Sequence, residues 1–142
     1  MKKYFAVIDT NVVVSSFLKR DSIPDAIVTM CLNGPIIPLF NEEILIEYHD
    51  VLLRNKFGFE EKTVKTFIDE MMKRGVFFDR TQTGEPFEDE DDVVFYEIVL
   101  TARNATDAYL VTGNKKHFPI KPFVVTPREM LEIIEKDSLE LE

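Results

Sequence analysis

Three groups of carboxylates stand where side chains of that type could do chemistry. Asp9 closes a five-residue apolar run, residues 4–8, and is followed by Thr10 and Asn11. Glu47 lies three residues after Ile44 and four before Val51, so on a helix it borders an apolar stripe rather than opposing it. Five acids in succession, Glu88-Asp89-Glu90-Asp91-Asp92, then run into Val93-Val94-Phe95-Tyr96. Each group also has an ordinary explanation. Asp, Thr and Asn all suit a strand-to-helix turn. Glu47, with Glu43 and Asp50, fits the edge of a solvated helix face. Acids favour a helix N-terminus, and Asp89 with Asp92 resembles an N-cap arrangement. One or two acids would suffice for a cap, however. Five in succession repel one another unless something neutralises them, and bound cations are the usual remedy.

The elements that must position these residues follow from the apolar pattern. Residues 4–8 read as a buried strand ending at Asp9. Residues 25–33 read as a helix opened by Pro24 and stopped by Asn33-Gly34-Pro35. Residues 36–40 form a second strand, which Pro38 demotes toward an edge or a short pairing. Asn41 caps a helix to about residue 54, with the stripe Ile44, Leu45, Tyr48, Val51 and Leu52. A third helix spans 60–74 and closes at Gly75, before a short strand at 76–78. A polar loop, 81–90, precedes a fourth helix at 91–103. Strands at 108–112 and 123–126 follow, and Pro127 opens a closing helix to about residue 136. Strands alternating with helices predict an α/β three-layer domain with a mainly parallel sheet. In such sheets ligands bind at the carboxyl ends of the strands, which is where Asp9 falls.

Composition narrows the classes. At 142 residues one domain is the natural count, over residues 1–136, with 137–142 a fraying acidic tail. The single cysteine, Cys31, excludes an internal disulfide, and between Met30 and Leu32 it reads as a small buried apolar residue. One Cys and two His leave no structural zinc site. No stretch reaches 18 apolar residues, and the N-terminal apolar run is too short for a signal core, so a cytoplasmic protein is expected. The net charge of −9 excludes a broad basic surface, so any contact with nucleic acid must be local or helped by metal ions.

Four segments together carry a family resemblance. They are Val7-Ile8-Asp9-Thr10-Asn11, Glu47-Tyr48 within residues 44–56, Asp89-Glu90-Asp91-Asp92 before Phe95-Tyr96-Glu97, and Tyr109-Leu110-Val111-Thr112-Gly113-Asn114. In ensemble the chain resembles a PIN domain from residue 4 to about 134, and most resembles family members proposed as toxins of toxin–antitoxin pairs. The resemblance implies a Rossmann-like α/β/α sandwich with about five parallel strands. It also implies Mg²⁺- or Mn²⁺-dependent cleavage of RNA, with RNA and an antitoxin protein as partners and a homodimer as a further expectation. The family's first acid falls on Asp9, its helical acid on Glu47 and its third on Asp92, with Asp91 the near alternative. Its fourth acid falls on Asn114, a departure. Asn offers a carbonyl but no charge, so a second ion would be held less well.

Given that resemblance, Asp9, Glu47 and Asp92 come from a strand end and two helices that can converge at one sheet edge. Mg²⁺ takes oxygen ligands and keeps several waters, so three acids suffice for one ion. A cation there can bind the scissile phosphate and lower the pKa of a bound water. Thr10, Asn11 and Thr112 are candidates to orient carboxylates or phosphate, with turn chemistry the equal alternative. Lys115, Lys116 and His117 follow the fourth strand and are candidates for phosphate contacts, although a solvated loop explains them equally well. His49 reads as a surface residue. Three other readings compete. A haloacid-dehalogenase-type phosphoryl-transfer enzyme needs a second Asp two residues on, where Asn11 stands. A receiver-like domain needs an acid where Ile8 stands, although Asp79 suits its later position. An inactive PIN-fold binding module is the non-enzymatic reading, and Asn114 is its best argument.

Overall fold

The computed structural model describes residues 2–140. Five strands form one sheet: β1 (Tyr4–Ile8), β2 (Ile36–Phe40), β3 (Val76–Phe77), β4 (Tyr109–Val111) and β5 (Val124–Val125). Their order is β3-β2-β1-β4-β5 and every pairing is parallel. Central parallel strands are covered on both faces and are therefore apolar throughout. Ala6, Val7, Ile8, Leu39, Leu110 and Val111 are accordingly all buried. Six helices cover the sheet: α1 (Thr10–Leu18), α2 (Ile23–Asn33), α3 (Glu42–Leu52), α4 (Glu61–Arg74), α5 (Val93–Arg103) and α6 (Pro127–Glu140). None is long and apolar enough to cross a membrane.

Two local expectations need correcting, and one helix joins those expected. Residues 10–18, to which the sequence pattern assigns no element, form a helix. Val12, Val13 and Val14 are β-branched and poor helix formers, but burial of Val12 and Val13 against α2 and α3 outweighs propensity. Pro38 does not place β2 at an edge, since β2 pairs with β1 on one side and β3 on the other. The proline is accommodated because β3 pairs only with Leu39 and Phe40, beyond it. Finally, α6 continues through Glu140 rather than ending near residue 136. The carboxylate of Asp137, expected in a frayed tail, accepts hydrogen bonds from Lys2 Nζ (2.8 Å) and Tyr4 Oη (2.9 Å). Residues 141 and 142 of that tail lie outside the described residues.

The strand order creates the setting for a site. From β1 the chain builds outward through β2 and β3, then crosses to β4 and β5 on the other side. The order therefore reverses between β1 and β4, and ligands of open α/β sheets bind at such a switch point, beyond the carboxyl ends of the strands. The loops leaving β1 and β4 begin with Asp9 and Thr112 respectively.

Candidate metal centre

At the switch point lies a cleft of about 410 Å³, lined by Asp9, Thr10, Asn11, Glu47, Asp91, Asp92 and His117 among others. Asp9 takes the N-cap position of α1, yet its side chain makes no capping bond. Its Oδ2 instead accepts a hydrogen bond from Thr112 Oγ1 at 2.7 Å. Glu47 reaches the cleft from α3 and accepts from the Thr10 hydroxyl. The register of α3 is fixed one residue further on, where the buried Tyr48 hydroxyl donates to the Ile8 carbonyl at 2.5 Å. That bond ties the helix carrying Glu47 to the strand end carrying Asp9.

The acidic run divides its labour. Asp89 Oδ1 accepts from the Asp91 backbone N–H at 2.9 Å and so caps a 3₁₀ turn over Glu90–Asp92, which leads into α5. Asp92 is thereby freed of any capping duty. It is half-buried, whereas Asp91 is exposed at the rim. Asp92 Oδ2 is a buried oxygen without a hydrogen-bond partner. A buried acceptor left unpaired is costly and calls for a specific explanation.

Electrostatics point the same way. Burial, reinforced by the charges of Asp92 and Glu47, pushes the Asp9 carboxyl up to about 6 against the opposing Thr112 hydrogen bond. Burial also raises Glu47, opposed by its bond from Thr10 and supported by Asp91, Asp92 and Asp89. Asp92 is raised by burial and by Asp89, with His117 opposing. Three neighbouring acids are thus each held above the ordinary range, so ionising them together is costly unless opposite charge is supplied.

The donors fit a hard divalent ion. They are carboxylate oxygens, as Mg²⁺ and Mn²⁺ prefer, and the unpaired Asp92 Oδ2 is an acceptor of the kind an ion would take. Among the described residues no three acidic, His or Cys side chains already stand at coordination distance. Hydroxyl bonds from Thr112 and Thr10 hold one oxygen each of Asp9 and Glu47. An ion that retains several waters can bridge such spacing.

The remaining candidates from the sequence separate. Asn11 Oδ1 accepts from the Gly113 N–H at 3.1 Å, clamping the β1 loop to the β4 loop. A Cβ on Gly113 would come 3.3 Å from that same oxygen, which favours glycine there. Thr112 is fully buried, and its Oγ1 also accepts from the Asn114 N–H at 3.0 Å. Asn114 does not line the acidic cleft; it faces a neighbouring hollow with Asn11 and Pro127. Lys115 is paired with Glu129 at 3.1 Å, and neither it nor Lys116 lines the cleft. His117 does, with Nδ1 3.4 Å from Asp92 Oδ2. The sequence groups His117 with the two lysines and carries no signal of this placement, since Asp92 is 25 positions away along the chain.

Comparison with known proteins gives two matches. Residues 6–116 match the model of a family described as the PIN domain. The fold is similar to that of VapBC2 from Rickettsia felis, solved bound to a DNA fragment from their promoter. The TM-score is 0.56 at 14% identity, covering 85% of this chain and 96% of that one. At that identity the likeness speaks for the fold alone. No curated protein matches the chain.

Proposed function

The chain belongs to the PIN domain family, and on that premise we propose that it is a divalent-metal-dependent ribonuclease, its ion held by Asp9, Glu47 and Asp92. The observation that carries this reading is one cleft at the sheet's switch point into which three separate segments deliver carboxylates. When bound there, Mg²⁺ or Mn²⁺ would neutralise the acids, engage the scissile phosphate and lower the pKa of a water that serves as nucleophile. The chain's own side chains prepare the place. Thr112 and Thr10 each fix one oxygen of Asp9 and Glu47. Tyr48 holds α3 to the end of β1. Asp89 takes over capping, so that Asp92 points inward. The exposed Lys116 stands just beyond the cleft on the β4 side, suited to a backbone phosphate.

Purified protein is expected to cleave single-stranded RNA with Mg²⁺ or Mn²⁺, and EDTA is expected to abolish cleavage. No activity on any RNA with either metal, in a folded sample free of an inhibitor protein, would replace this reading with that of a PIN-fold binding module. The proposal extends to a toxin restrained by an antitoxin protein. Expression of the chain alone should then arrest growth, and Asp9→Asn should relieve the arrest. Full growth alongside an active nuclease would remove the toxin role and leave the ribonuclease.

A further inference from the structure

A run of hydrogen bonds and close contacts leads from one acid to another through the β4 loop. Thr112 Oγ1 donates to Asp9 Oδ2 and accepts from the Asn114 N–H. The Asn114 side-chain amide lies 3.0 Å from His117 Nε2, and His117 Nδ1 lies 3.4 Å from Asp92 Oδ2. The last contact is within ion-pair range but lacks hydrogen-bond geometry, since Asp92 Oδ2 has no hydrogen-bond partner. The imidazole nitrogen and the unpartnered carboxylate oxygen therefore stand side by side at the cleft, close enough to face one ion together.

We propose that His117 is a metal ligand: its Nδ1 joins Asp92 in holding the divalent ion, so that one donor is nitrogen rather than oxygen. Asn114 is then a positioning residue. With its carbonyl turned toward Nε2, an orientation interchangeable with the amide nitrogen, it accepts the Nε2 proton and leaves the Nδ1 lone pair facing Asp92. The chain thus places an imidazole beside the third acid, while the family's fourth acid position holds an uncharged Asn. A mixed nitrogen–oxygen site also ranks metals differently from an all-carboxylate one. Mg²⁺ is a hard ion that takes oxygen, and a nitrogen donor serves it less well than it serves a first-row transition ion, so the site shifts toward Mn²⁺ relative to carboxylates alone.

This inference rests on the metal site proposed above, and the experiment separates the two. Mn²⁺ alone is titrated into the full chain and followed by electron paramagnetic resonance, with pulsed spectra read for directly coordinated ¹⁴N. The chain has two histidines, and the other, His49, lines a groove on a different side of α3. A nitrogen coupling is expected in the wild type and in His49→Gln, and its loss in His117→Gln. Mn²⁺ affinity should fall about tenfold or more in His117→Gln, while Mg²⁺ affinity changes much less. Asn114→Ala should weaken the nitrogen signal, and Asn114→Asp, which can still accept from Nε2, should keep it. Mn²⁺ bound through Asp9 without nitrogen coupling, or with coupling that survives His117→Gln, would overturn the ligand and leave the nuclease reading standing. Absence of any Asp9-dependent Mn²⁺ binding would overturn both.

Discussion

Glu97 and Asp9 are buried to the same degree, each 6% exposed, yet their surroundings are opposite. Glu97 Oε1 accepts from Arg80 Nε at 2.7 Å and Oε2 accepts from the Thr83 N–H at 2.8 Å. Arg80 also donates to Glu43 at 2.9 Å, so the guanidinium clamps α3, α5 and the polar loop together. Asp9 has a neutral hydroxyl on one oxygen and two further acids as neighbours. A buried carboxylate must be compensated. Glu97 has its cation within the chain and serves the fold. Among the described residues Asp9, Glu47 and Asp92 pair with no Arg or Lys, His117 alone standing beside Asp92, and under the proposed function their counter-charge comes from outside.

The largest expected effect tests that division directly. Asp9→Asn should lower RNA turnover about a thousandfold, on the order of 4 kcal/mol of transition-state stabilisation, with the fold intact by circular dichroism. Glu97→Ala, assayed below its melting temperature, should retain most turnover. If the two variants exchanged phenotypes, the assignment of roles would be wrong.

Next in size is a pH effect in metal-free protein. The folded state holds the Asp9 proton to about pH 6, whereas an unperturbed aspartate releases it near 3.8. Between those values the folded chain binds more protons than the unfolded one, so stability falls as pH rises through the window. The full shift corresponds to at most about 3 kcal/mol. Denaturant melts in EDTA at several pH values should show this component in the wild type. It should be missing in Asp9→Asn, which is expected to be as stable as the wild type or more so near pH 7. Parallel pH profiles would show that Asp9 is not compressed by its neighbours.

Mg²⁺ should then reverse the penalty. Saturation at about 100 times the dissociation constant stabilises the folded state by about 2.7 kcal/mol, and thermal melts should show a smaller shift in Asp9→Asn and Asp92→Asn. Equal shifts in all three proteins would argue against a site. Glu97→Ala should cost about 2 kcal/mol, discounted because Arg80 is a third exposed and can rehydrate. The smallest effect extends the comparison to cations. Lys115 is engaged by Glu129, while Lys116 is exposed and makes no ion pair among the described residues. Lys116→Ala should therefore weaken RNA binding more than Lys115→Ala, severalfold and evenly across sequences, lowering the salt slope by about 1.

The sequence shows the sheet through its local apolar pattern, while the three acids are proposed as a set from the resemblance that several motifs carry together. A buried strand ending in Asp9 and a helix with Glu47 beside its stripe are readable from spacing alone. Helix α1 is not, since Val12, Val13 and Val14 favour extended backbone and only packing against α2 and α3 makes them helical. The acidic run was ambiguous for a related reason. Capping and cation binding call for the same residue type, and only the backbone shows that Asp89 does the first and leaves Asp92 free. Arg80 with Glu97, and His117 with Asp92, are 17 and 25 positions apart along the chain. Neither pairing has a periodicity that could announce it.

One feature of the β4 loop bears on how this protein tolerates insertion and deletion. Thr112 meets Asp9 at one end of the segment and His117 meets Asp92 at the other, with four residues between. Lys115 and Lys116 within it are exposed, so as far as packing goes their identities are loosely constrained. The length is not. One residue more or fewer between Thr112 and His117 would leave the hydroxyl on Asp9 in place and carry the imidazole away from Asp92. The segment thus works as a ruler between two carboxylates, set by its count of residues as well as by the side chains it carries.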